Sequence, residues 1–460
     1  MEEKAETDHH HHVITIEEVE EMEEKIKELP KLLNRTAGKK SCCIFRVPQS
    51  LVEINGKAYH PLILSIGPYH YGKPHLNMIE EHKWKFLGEL LARTPPDGLK
   101  LDGYLKVIAP LETRIRDCYS EFIDFNSFDL IKMMVLDGLF IIELISRVGK
   151  VAPSDRDDPI FNMAWIFPFL LRDLLRLENQ IPFFVLQTLF ENTRVTRTCG
   201  DDQTLAKLIL GFFSYIVERP DEVLERFANL EGKHLLDFFR LSFIPPDPPQ
   251  QKPRKKANCS FARRRGENDI PLLQLIPSAK KLDKSGIRFQ AKKCDTFLEI
   301  KFHNGVLEIP QIAIDDFTTW FLLNSVAFEQ CYSHCSKHVT AYATFMGCLI
   351  SNPGDAGFLG DRKIVENYFG TERELAHFFN DLGKDVSFDI ENNNYLSIVF
   401  EDVNEYHRNG WHVQWAGFKY TYFKTPWSFI SALAALILLL LNMILAFFAV
   451  YPYARGKHPG

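Results

Sequence analysis

The chain has 460 residues, 46 % of them hydrophobic and 25 % charged, as expected of a globular protein with a real core, and its length allows two or three domains. Phenylalanine is over-used, at 37 residues, so that core is expected to be rich in aromatic rings. The net charge of −6 excludes nucleic-acid binding by bulk electrostatics.

Residues 1–40 read as an acidic helix and tail. There is no apolar h-region, which argues against a cleaved signal peptide. Over 14–29, Val19, Met22, Ile26 and Leu29 step by helical spacing, with Glu21→Lys25 and Glu23→Lys27 as i,i+4 pairs. This helix is expected to dock by its apolar face on the main body.

Residues 41–243 read as the first part of a helical domain. Near its start, S-I-G-P-Y-H-Y-G-K-P-H-L (65–76) packs two Gly, two Pro, two Tyr and two His into twelve residues. It is read as a rigid Gly/Pro turn with Tyr69 and Tyr71 packed inward. The functional alternative is a ligand loop in which His70 and His75 hold a metal or a phosphate.

From 76 to 240 the pattern is helical almost throughout. Met133–Ile145 is apolar on nearly every face, yet it carries Asp137 and Glu143. In the second apolar block, 166–186, Pro168 and Pro182 bracket an expected helix of three turns that carries Arg172, Asp173, Arg176 and Glu178. Charges in such surroundings are rarely left unpaired. The expectation is that Glu143 or Asp137 pairs with Arg172 or Arg176. The alternative is a cryptic acidic active site.

Residues 244–270 form a Pro-rich basic linker. Lys252, Arg254, Lys255, Lys256, Arg263, Arg264 and Arg265 make it a solvated spacer or a contact for anionic lipid. Residues 271–426 read as the second part of the domain. A β-hairpin is expected within 286–310, turning at His303-Asn304-Gly305. Helices follow over 315–350 and 361–410. Cys331, His334, Cys335 and His338 fall on one helical stripe that imitates a zinc site, but one straight helix cannot wrap an ion with four ligands. They are read as core residues. The nine cysteines show no paired spacing and are read as mostly reduced.

Trp427–Val450 carries no charge and is long enough for a membrane span. Residues 427–451 are therefore expected to form a transmembrane helix, followed by a short tail, 452–460. Ser431, Ala435 and Asn442 could support helix association within it. The expected topology is a tail-anchored, single-pass membrane protein with its large N-terminal part in the cytosol, the plasma membrane being favoured.

In order along the chain, I-F-R-V-P (44–48), Y-H-P-L-I-L-S-I-G-P-Y-H-Y-G (59–72), M-V-L-D-G-L-F-I-I-E-L-I (134–145), L-L-R-L-E-N-Q-I-P-F-F-V-L (174–186), L-E-I-P (307–310), N-S-V-A-F-E-Q-C (324–331) and P-W-S-F-I-S (426–431) resemble the plant family known as domain of unknown function 247, or UPF0481. Arg176 stands where that family's block usually has Leu. The resemblance implies a mainly helical fold, a C-terminal membrane anchor and no established activity. Some members of the family are associated with self-incompatibility, which suggests recognition. P-loop, G-x-S-x-G, H-E-x-x-H and paired C-x-x-C motifs are absent. The expected function is protein interaction, recognition or signalling through an unidentified protein partner, with no cofactor and no nucleic acid.

Overall fold

The computed structural model describes residues 15–409, apart from 29, 97, 156, 194–203, 246–274, 369, 385 and 387–394, together with 426–455. Helices dominate. Helix α1 (Ile16–Lys27) is followed by α2 (Asn77–Arg93), α3 (Leu101–Ile108), α4 (Ser127–Val148), α5 (Ile166–Asp173), α6 (Phe183–Asn192), α7 (Leu205–Phe213) and α8 (Leu235–Leu241). After the first four strands come α9 (Asp316–Cys331), α10 (His338–Leu349) and α11 (Pro353–Asp361), and after the fifth α12 (Glu372–Leu382), α13 (Ser397–Arg408) and α14 (Pro426–Arg455).

Helix α4 is the axis of the first part. The Asn126 side chain caps its start by accepting from Asp129 N–H. Beyond the first turn, nearly all of it is buried through Arg147. Helices α2, α3, α6 and α7 pack around it. Each fully buried Leu, Ile or Phe on it stabilises the fold by roughly 1.5–3 kcal/mol relative to exposure. The interior is aromatic, as the composition foretold. Phe183 stacks on Phe238 at 5.3 Å, and Phe239 meets Phe213 at 4.7 Å and Phe321 at 5.0 Å. Through α8 against α9, one continuous apolar cluster joins the two parts.

The hairpin forms where expected. Strand β2 (Lys301–His303) runs antiparallel to β3 (Val306–Pro310), with Phe302 opposite Leu307. Asn304 and Gly305 take φ of 50° and 76°, the positive values that an Asn-Gly turn of this type needs. A further strand, β1 (Arg288–Lys292), adds parallel to β3. Strand β4 (Ile312–Ile314) pairs in parallel with β5 (Val365–Asn367), a sheet that the helical reading of 361–410 missed.

Several expectations need correction. Among the described residues, no helix is long and apolar enough to cross a membrane. Helix α14 is present over Pro426–Arg455. The transmembrane helix, the single-pass topology and the membrane localisation are set aside on that finding. Ser431, Ala435 and Asn442 lie exposed on α14. The seven basic residues from Lys252 to Arg265 lie outside the described residues. Helix α1 is capped by a Thr15/Glu18 capping box, but none of its residues is buried, so it does not dock as expected. The helix expected between Pro168 and Pro182 ends at Asp173, because side chains and not a helical ladder take up the following backbone groups. The Gln180 amide donates to Leu174 O and Arg176 O, and the Asn179 amide donates to Asp173 O. The Cys331–His338 stripe is broken as well: α9 stops at Cys331, and His334 and Cys335 sit in the turn before α10.

Candidate functional site

Residues 59–73 form neither helix nor strand, so their backbone donors need partners from elsewhere. Buried side chains of α4 and of the 173–180 turn supply them. Asp173 accepts from Leu62, Ile63 and Leu64 N–H at 2.8–3.0 Å. Asn179 Oδ1 accepts from Ile66 N–H, and Asp137 Oδ2 accepts from Gly67 N–H, both at 2.7 Å. Glu178 Oε1 accepts from Val47 N–H at 2.9 Å. Gly67 has φ +72°, and a Cβ there would lie 2.5 Å from Gln180 O, so only glycine fits this approach.

Cations complete these carboxylates. Lys83 Nζ lies 2.6 Å from Asp137 Oδ1 and 2.6 Å from Glu80 Oε2. Burial pulls the Lys83 ammonium down, but the Asp137 and Glu80 charges outweigh it and leave it above its ordinary value. Arg176 Nε donates to Asp173 at 2.9 Å. Arg46 donates to Glu178 at 2.9 Å and to Glu121 at 3.1 Å. Burial raises the Glu178 carboxyl, yet contacts from His70, Val47 N–H and Arg46 hold it at about 2.

The expected pairing of α4 carboxylates with Arg172 or Arg176 does not form. Asp137 takes Lys83. Glu143 takes Arg93 at 2.7 Å and Arg147 at 2.7 Å. Arg176 turns back to Asp173, and Arg172 reaches the exposed Asp316 at 3.3 Å. In the 65–76 turn, Tyr69 is buried but Tyr71 is exposed, resting edge-on against Phe125. His75 is exposed and His70 is buried. Sequence reasoning missed Lys83. The signal was available: it stands in the apolar stripe Ile79, Phe86, Leu90 of α2.

His70 has His60 and Glu178 as neighbours. Their ligand atoms all lie within 4.8 Å of one another. His70 Nε2 is 3.1 Å from Glu178 Oε2, and Nδ1 is 2.8 Å from Lys73 Nζ. Of two surface concavities, one is bordered by Glu53, His377, Asp381 and Lys384, the other by Asp361, Glu366, Tyr368 and Glu372. Asp137, Glu143, Asp173 and Glu178 line neither.

The same construction recurs between α8 and α10. Glu329 accepts from Val339 and Thr340 N–H at 3.1 and 2.7 Å and pairs with Arg240 at 2.9 Å. Beside it, His234 caps α8: Nδ1 accepts from Asp237 N–H at 3.2 Å and Nε2–H donates to Cys43 O at 3.0 Å. The bond that Nδ1 accepts needs the neutral ring. Burial pushes the His234 pKa down from 6.5 to about 4. Between those values the unfolded ring binds a proton and the folded ring does not. Stability is therefore expected to fall as pH drops through that window, by on the order of 3 kcal/mol. Urea midpoints at pH 7 and 4.5 check this, and His234→Gln is expected to flatten the dependence.

The sequence matches the family model described as a plant protein of unknown function, DUF247, over residues 44–441. UPF0481 protein At3g47200 of Arabidopsis thaliana is 39 % identical over 438 residues, covering 93 % of this chain and 90 % of its own. Putative UPF0481 protein At3g02645 of the same plant is 23 % identical over 485 residues, covering 89 % and 90 %. No solved structure matches.

Proposed function

Because this chain belongs to the DUF247 family of plant proteins of unknown function, which offers no activity to inherit, we propose that it acts by protein recognition or signalling, through its surface. The observation that carries this reading is the engagement of the interior acids. Asp137, Glu143, Asp173 and Glu178 are each buried and bonded to a cation, and all but Glu143 also hold backbone N–H groups. Those acids border neither of these two concavities, so neither is an active site built on them.

The surface favours contact. Around α5, Met163, Trp165 and Tyr215 are 50 %, 46 % and 68 % exposed. Trp165 rests edge-on against Phe169, and Tyr215 against Phe167. Arg172 lies 4.5 Å over the Trp320 ring. Trp, Tyr and Arg are the residues that dominate binding energy at protein interfaces. Trp165→Ala with Tyr215→Ala is expected to weaken a partner by roughly thirtyfold or more if each ring is a hot spot. Proximity labelling in plant tissue, wild type against a double variant shown to be folded by circular dichroism, reads the outcome. An unchanged set of labelled proteins removes this surface from the proposal.

A further inference from the structure

We propose that His60, His70 and Glu178 form a binding site for a divalent transition cation of the zinc class. Two imidazoles and a carboxylate are the donors that such an ion prefers. An ion held at ordinary zinc bond lengths by tetrahedral ligands sets its donor atoms roughly 3.4 Å apart. His70 Nε2 and Glu178 Oε2 stand at 3.1 Å, and one ligand atom from each of His60, His70 and Glu178 lies within 4.8 Å of the others. His60 is exposed, so its ring can turn inward and the site has an entry from solvent. A second observation points to an ion. His70 is 1 % exposed, and its Nε2, although close to Glu178, makes no hydrogen bond of good geometry. A buried ring nitrogen held only by a poorly directed contact is costly. A shared cation would satisfy it.

Two neighbours oppose the cation. Arg46 lies 2.9 Å from the same Glu178 oxygen, and Lys73 lies 2.8 Å from His70 Nδ1. While Lys73 donates there, Nδ1 is the acceptor and Nε2 carries the proton. Ligation through Nε2 needs the other tautomer, so Lys73 must withdraw. It is only partly buried and has room to do so. The bound ion would then tie the 59–73 segment to the 173–180 turn.

These opposing contacts make the test sharp. The chain with the four consecutive histidines His9–His12 replaced by Ala, so that this run cannot compete for the metal, is titrated with Zn²⁺ by calorimetry and with Co²⁺ by visible absorption. One Zn²⁺ per chain is expected. His60→Ala is expected to weaken it by more than the roughly tenfold to hundredfold that loss of an outer partner costs. Lys73→Met is expected to tighten it. The Co²⁺ spectrum should lack thiolate charge-transfer bands, which separates this site from the cysteines. Both variants alter partly or fully exposed side chains, and their melting curves without metal report that they fold. Zn²⁺ affinity unchanged in His60→Ala, a thiolate-type Co²⁺ spectrum, or no stoichiometric binding overturns the site and leaves a trio that only bonds within the protein.

Discussion

Asp173→Ala is expected to destabilise the protein by about 3–5 kcal/mol, the range for breaking a buried charge pair. Asp173 is fully buried at the end of α5. Its carboxylate accepts from the N–H groups of Leu62, Ile63 and Leu64 and from Arg176. Removing it orphans three donors, each of which costs roughly 1–3 kcal/mol when left buried without a partner. It also strands the Arg176 guanidinium. That group keeps Lys57 O at 3.0 Å and the Trp320 face at 4.8 Å, but one of its nitrogens already lacks a partner. The losses do not add in full, because segment 60–66 can relax toward water. Asp173→Asn should recover only part, since it offers one acceptor oxygen and turns an NH₂ toward backbone N–H groups. Urea midpoints give the size, and amide exchange gives the place. Protection at residues 62–64 should fall first in the variant. Full protection there, with an unchanged midpoint, would mean that the carboxylate does not hold this backbone.

Legibility in the sequence follows range. The Asn304-Gly305 turn was readable because its cause is local: two adjacent residues that tolerate positive φ. The burial of Met133–Ile145 was readable from its apolar residues alone. The partners of Asp137 and Glu143 were not. Lys83 lies 54 positions from Asp137, and Arg93 lies 50 from Glu143. Composition announces that a buried acid needs a cation without saying which one packs beside it. The early end of α5 was hidden for a related reason. Proline spacing allows a helix to run to Pro182, but Asp173, Asn179 and Gln180 spend their side chains on backbone groups, which only the fold reveals. The His70–Glu178 contact joins two segments that the sequence reading treated separately. His75, the histidine paired with His70 by proximity in sequence, is turned outward.

Lys83→Met should cost a similar 3–5 kcal/mol at neutral pH, but its cost should depend on pH in a way that identifies the cause. Lys83 is buried, and its ammonium donates to Asp137, Glu80 and Ser65 O. Methionine fills much of the same volume, so the loss is chiefly of charge. Asp137 then remains in the core with Gly67 N–H as its one remaining donor. Burial already pushes its carboxyl up to about 6 with Lys83 present. Without that cation, the folded state favours the protonated acid more strongly still. A folded pKa raised above the unfolded value of 3.8 means that the native state binds the extra proton. Its stability then declines as pH rises through the window and recovers as pH falls. The deficit of Lys83→Met relative to wild type should therefore be smaller at pH 5 than at pH 8. The double variant Lys83→Met with Asp137→Asn leaves only the part-exposed Glu80 without its cation and no fully buried carboxylate, so it should regain stability at pH 8 and lose most of the pH dependence. Urea melts of the three proteins at the two pH values decide it. A deficit equal at both pH values would assign the cost to lost packing instead of the stranded carboxylate.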